Sequence, residues 1–238
     1  MSRGIITCAV LALAAPARAD GDDPRLDAGF DAGRVTLRGA AEVGAARSSL
    51  ALDGWYAVNA RFQLGITMSH DARRELAAGR GLCVDRCTER FAGVAAETRV
   101  RLGSQLVGRA AIDTARFGPT AAAIELGADA HLAQGAVTAQ ISPVLRLGIA
   151  RRDLANTDSA AALAQLGVRV WPTGGVLAAT RIGVSLDDLR ATPSVGAAAG
   201  IWLELGAVVL SARIGATEVA RSRSTDALFG ELALAWSN

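Results

Sequence analysis

Ser69, His70 and Asp71 are the residue types of a hydrolytic triad: a nucleophile, a base and an orienting acid. They are also consecutive. On an extended chain neighbours point to opposite sides, so the three cannot face one another. A hydrolase built here would keep only His70 as its base and draw partners from elsewhere. The second histidine, His131, lies two residues from Asp129. That spacing puts both on one face of a strand and reads as a hydrogen-bonded wall. Asp153, Asn156 and Asp158 offer oxygens to a hard cation, but their spacing fits no compact calcium loop. Cys83 and Cys87 are separated by three residues, enough for a small closed ring. No further Cys or His stands near them to complete a metal site. These residues therefore point to no catalytic group, no cofactor and no metal, and to one disulfide, Cys83–Cys87.

The charge balance narrows the classes further. All 25 basic residues are arginine, against 23 acids. Removing Arg3 and Arg18 with a leader leaves the two signs equal, which argues against nucleic acid as a partner. Hydrophobic residues make up 51% of the chain. No apolar run is long enough for a transmembrane helix. Residues 1–19 read as a secretory signal: Arg3 in the charged region, an apolar run from Gly4 to Ala15, and Ala17-Arg-Ala19 as the cleavage site. Residues 20–33 then form an N-terminal periplasmic segment, and an exported pair of cysteines favours a disulfide.

The elements that would position these residues are strands. In residues 56–69 the even positions are Tyr56, Val58, Ala60, Phe62, Leu64, Ile66 and Met68, and the odd ones carry Asn59, Arg61, Gln63, Thr67 and Ser69. A period of two over this length is a strand signature. Twelve such stretches follow: about 34–45, 48–57, 61–70, 91–102, 106–115, 120–132, 136–150, 160–171, 175–187, 194–205, 208–219 and 226–236, with ten as the alternative count. Most reach the ~9–11 residues that a tilted membrane strand needs. Short connections rich in Gly, Pro or Asn, which suit tight hairpins, alternate with generally longer polar ones. Trp55, Tyr56, Trp171, Trp202 and Trp236 all fall near the short-turn end, where rings of this kind favour a membrane interface. Tyr56 is expected across its hairpin from Phe62 on the lipid side.

Parity separates the faces. One set holds Arg38, Arg61, Arg99, Arg101, Arg109, Arg146, Arg169, Arg181 and Arg213, together with Glu42, Asp53, Glu97, Asp113, Glu125, Asp129, Asp187, Glu204 and Glu231. The opposite set is nearly free of charge. A charge facing mid-bilayer costs roughly 2–4 kcal/mol, so a membrane barrel must turn the charged set inward. Glu97 and Arg109 are expected to lie diagonally across the 103–105 turn. A secreted soluble β-sandwich would show the same alternation inside out, and parity alone leaves it open.

The leader, the hairpins, the asymmetry of the turns and the last strand, Leu228-Phe-Gly-Glu-Leu-Ala-Leu-Ala-Trp236, decide the reading. Together residues 34–238 resemble bacterial outer-membrane β-barrel proteins of the Gram-negative envelope. The resemblance implies an all-β fold: a closed antiparallel up-and-down transmembrane barrel. It implies export to the outer membrane and contact with lipid, lipopolysaccharide and the barrel assembly machinery. The family commonly ends on an aromatic; here Ser237 and Asn238 follow the Trp. The chain then reads as a non-enzymatic barrel, either a narrow porin-like channel or a structural barrel. Its lumen is lined by Arg38, Glu97, Arg99, Arg109, Glu125, Asp129, Arg146, Arg169, Arg181, Arg213 and Glu231. Arginines near mid-depth favour a small anionic solute. The rival is a lipid-directed barrel hydrolase whose activity would vanish in His70→Ala. If Cys83 and Cys87 are bonded, alkylation of the unreduced protein will label neither thiol, and reductant will expose both. Label on the unreduced protein would refute the pair.

Overall fold

Alternating apolar and polar residues, with Gly or Asn at the reversals, have one way to satisfy their backbone in lipid: pairing strand to strand until the sheet meets itself. The computed structural model describes residues 30–44, 47–73, 93–117, 120–150, 158–186, 194–216, 219 and 228–238. Within them lie twelve strands of 9 to 15 residues. They are β1 (Val35–Gly44), β2 (Arg47–Asn59), β3 (Phe62–Arg73), β4 (Gly93–Arg101), β5 (Leu106–Phe117), β6 (Thr120–Gln134), β7 (Val137–Gly148), β8 (Ser159–Trp171), β9 (Gly174–Ser185), β10 (Ser194–Leu205), β11 (Val208–Ala216) and β12 (Leu228–Ser237). Each pairs antiparallel with its sequence neighbours, and β1 closes on β12 from Thr36↔Ser237 to Gly44↔Phe229. The barrel is closed, up-and-down and twelve-stranded.

Every strand turns a large apolar side chain outward. Leu37, Leu52, Ile66, Val100, Ile112, Leu126, Ile141, Leu166, Ile182, Ile201, Ile214 and Leu232, one from each strand in order, are all exposed. The buried side chains include Gln63, Asp129, Ser142, Arg146 and Glu231. This inside-out polarity separates a barrel meant for lipid from a soluble sandwich. Five tight reversals and both strand termini share one end. Gly135 and Gly206 take the positive φ values (58° and 64°) that their hairpins require.

Two positions differ from expectation. The first hairpin turns later than its sequence suggested, over residues 60–61, where Asn59 Oδ1 accepts the Arg61 N–H at 2.8 Å. With a bulge at residues 57–59, Tyr56 pairs with Leu64 and not with Phe62, which lies opposite Asn59. The second concerns the indoles. Trp55 and Trp202 are buried on the inner face, not exposed on a lipid-facing belt. Trp55 follows the parity of Asp53 and Ala57, and its ring finds room because the residue paired with it is Gly65. A Cβ at Gly65 would lie 2.3 Å from Trp55 Cδ1. The ring is backed from the other side by the Arg99 guanidinium, 4.3 Å from its centroid. Gly65→Val would therefore push the indole out of its seat and off the Arg99 guanidinium. It should destabilise the barrel by ~1–3 kcal/mol, read as a lower temperature for loss of the heat-modifiable folded band on a gel.

Candidate functional site: an arginine-rich lumen

The inward residues enclose a cavity of about 760 Å³. Its wall includes Arg38, Arg99, Arg101, Arg109, Arg181 and Arg213, against the acids Glu125, Asp129 and Glu231. Neutral polar groups, His131, Gln140, Ser142 and Gln165, line another part. Register explains that part: His131 pairs with Gln140, and Gln140 with Gln165, giving one row across β6, β7 and β8.

Cross-strand position sets which charges meet. Arg213 and Glu231 are directly opposite on β11 and β12, with Nη2 and Oε2 2.5 Å apart. Glu125 and Arg146 are directly opposite on β6 and β7, at 3.8 Å. Arg38 lies opposite Asp53 on β1 and β2. On β4 and β5 two cations, Arg99 and Arg109, are paired in register. Like charges so placed repel, and each leans to a different acid. Arg99 bonds Glu97 on its own strand, while Arg109 reaches across Gly127 toward Asp129 at 3.9 Å. Glu97 and Arg109 are diagonal neighbours as expected, but each is engaged elsewhere.

Arg169 reaches across an intervening strand. Its fork meets both Glu204 oxygens at 3.0 and 2.9 Å, from β8 to β10, and Nη1 also donates to the Pro172 carbonyl at 2.8 Å. Between them on β9 stands Gly175, paired with both Arg169 and Trp202. With no side chain there, the guanidinium crosses β9 and lies 4.8 Å from the Trp202 ring centroid. Sequence reading named Arg169 and Glu204 as luminal. It could not join them, because their contact depends on the register of a third strand.

No protein-family model matches the chain, and no curated protein does either. Solved structures do. The NanC porin in a rhombohedral crystal form superposes with a TM-score of 0.57, at 10% identity over 85% of this chain and 98% of that one. The KdgM porin in complex with disordered oligogalacturonate gives 0.57, at 6% identity over 84% and 98%. LpxR from Salmonella typhimurium gives 0.53, at 9% identity over 84% and 99%. The fold is that of a bacterial outer-membrane β-barrel. Identities this low carry the architecture and nothing finer.

The remaining sequence candidates distribute as follows across this barrel. Tyr56 points outward, and Trp236 shares the outer face with its partner Leu37. Trp171 is half-buried opposite Gly174, just past a bulge in β8. Asp158 caps the outer rim: its Oδ1 accepts the Gly148 N–H at 2.9 Å. Ser69, His70 and Asp71 are consecutive in β3. Cys83, Cys87, Asp153, Asn156, Asp187 and the 1–19 leader lie outside the described residues. Sequence reading passed over Phe30, which is buried in the lumen ahead of β1.

Glu231 is nearly enclosed, whereas Arg213 keeps a quarter of its side-chain surface open. Removing the arginine strands a carboxylate with little water to turn to. Arg213→Met should cost on the order of 2–3 kcal/mol, below the ~3–5 of a fully buried pair. The double variant with Glu231→Leu should recover most of it. Urea unfolding of the refolded barrel measures both; equal losses would show that the pair is uncoupled.

Proposed function

We propose that this chain is a narrow porin-like channel of the outer membrane, a transport protein and not an enzyme, passing small anionic solutes. In this reading residues 1–19 direct export, residues 20–33 form an N-terminal segment on the periplasmic side from which Phe30 enters the lumen, and Tyr56, Trp171 and Trp236 sit at the inner-leaflet interface. Assembly runs through the barrel assembly machinery, and the outer rim meets lipopolysaccharide. The observation that carries the reading is the cavity wall, where six arginines face three acids. Eight strands leave room only for side chains and sixteen leave an open channel, so twelve suits a restricted pore. Arginine rings attract anions, and a low-dielectric wall strengthens whichever sign prevails. The KdgM porin, similar in fold, was solved with oligogalacturonate, a polyanion, which is consistent with this choice of solute.

The hydrolase reading has less support. Ser69, His70 and Asp71 are consecutive in β3, and a hydrolase there would need partners from other strands. Loss of lipid hydrolysis in His70→Ala would favour it.

In a planar bilayer under a salt gradient, the reversal potential should have the sign of mild anion selectivity and weaken as salt screens the lumen. Arg109→Glu or Arg181→Glu should each shift it toward cations, since either leaves about five arginines facing four acids. A cation-selective wild type, or no shift in either variant, would overturn anion selectivity. No conductance at all would leave a structural barrel.

A further inference from the structure

Phe30 precedes the first strand, yet only 2% of its surface is exposed. It stands in the wall of the lumen cavity beside Trp55, Arg99 and Arg101. The backbone shows how it gets there. The Arg34 N–H donates to the Asp31 carbonyl at 3.0 Å, closing a turn over residues 31–34. Gly33 holds φ at +84°, the value that the third residue of a type II turn needs. The Gly33 N–H donates to the Ala57 carbonyl at 2.8 Å, and the Ala57 N–H to the Arg34 carbonyl at 2.9 Å, so the turn is tied to β2. Arg34 Nη2 donates to Ser237 Oγ at 3.0 Å, tying it to β12 as well. Both ties lie at the short-turn end, where β2 finishes and β12 ends. The reversal carries residue 30 into the bore.

Inside, Phe30 meets a second holding group. Arg101, the last residue of β4, lies over the phenyl ring at 4.6 Å from its centroid. Two residues earlier on the same face, Arg99 covers Trp55 at 4.3 Å. The mouth is therefore narrowed by stacked aromatic and guanidinium planes, and one of the aromatics does not belong to the wall. It arrives on a turn outside the strand ladder.

We propose that the Phe30 turn is a stopper. It closes the periplasmic mouth of the lumen, and the pore conducts fully only when the turn is displaced. The proposal rests on the channel reading above. The phenyl ring obstructs the bore by its own bulk, held in place by the guanidinium over it. Arg101 is the positioning residue. It holds the ring through the cation–π contact, and it also adds positive charge at the mouth. No rung between β1 and β12 depends on Phe30, so the stopper can leave without opening the barrel.

The test uses the full-length refolded protein in planar bilayers, with heat-modifiable mobility confirming a folded barrel for each variant. Phe30→Ala should raise the mean conductance by about twofold or more. Gly33→Val keeps the phenyl ring but strains the turn, and should raise the open fraction. Arg101→Gln should do the same to a smaller degree. Higher conductance in Phe30→Ala, with a higher open fraction in Gly33→Val, supports the stopper. Equal, non-zero conductance in wild type, Phe30→Ala and Gly33→Val overturns the stopper and leaves the channel standing. Absence of conductance from wild type and both variants removes the channel and the stopper together.

Discussion

The meeting of β1 with β12 is the contact on which everything else depends. In hydrocarbon an unpaired strand edge has no water to bond, and each stranded N–H or C=O costs several kcal/mol. Nine rungs from Thr36↔Ser237 to Gly44↔Phe229 remove that edge. The two residues after Trp236 contribute directly. Asn238 Oδ1 accepts the Val35 N–H at 2.7 Å, and Ser237 Oγ accepts from Arg34. Residues that depart from the usual aromatic ending thus fasten the first strand to the last. The seam joins positions about two hundred apart in sequence. Contacts of such separation form slowly, because the loop entropy must be overcome before they contribute.

Once closed, the sheet divides the world by parity, and the interior must absorb all the charge the exterior refuses. It does so with short cross-strand pairs and with glycines that clear paths between them. Gly65 makes room for Trp55, Gly127 for Arg109, and Gly175 for the bridge from Arg169 to Glu204. The arginine fork suits this role better than a lysine point charge, since it bonds a carboxylate with two donors and stacks on aromatic faces at the same time. Arg169 does both, meeting Glu204 and Trp202.

Most of the architecture was legible because it rests on period two, which survives errors of a residue or two at strand ends. The twelve strands and their order follow from it, and so does the inward side of the arginines and acids that line the cavity. Individual contacts were not legible where they depend on register. Tyr56 faces Leu64 because a bulge in β2 shifts the pairing, and no local residue announces that bulge. Trp55 and Trp202 were placed by their depth near the short turns, whereas parity, applied to them as it was to Arg38 or Gln63, puts them inside. Phe30 was invisible for another reason. Its burial comes from a turn that reverses the chain before the alternating pattern begins, and only Gly33 hinted at it.

The absence of lysine from the wall has a further consequence. A guanidinium keeps its proton at any pH a bacterium meets, so the positive side of the lumen is a fixed quantity. A lysine in the same surroundings can be driven by burial to give up its proton; an arginine is not. No repacking of the wall around these groups can therefore discharge them. The acids of the wall keep permanent counter-charges beside them, as Glu231 does in Arg213.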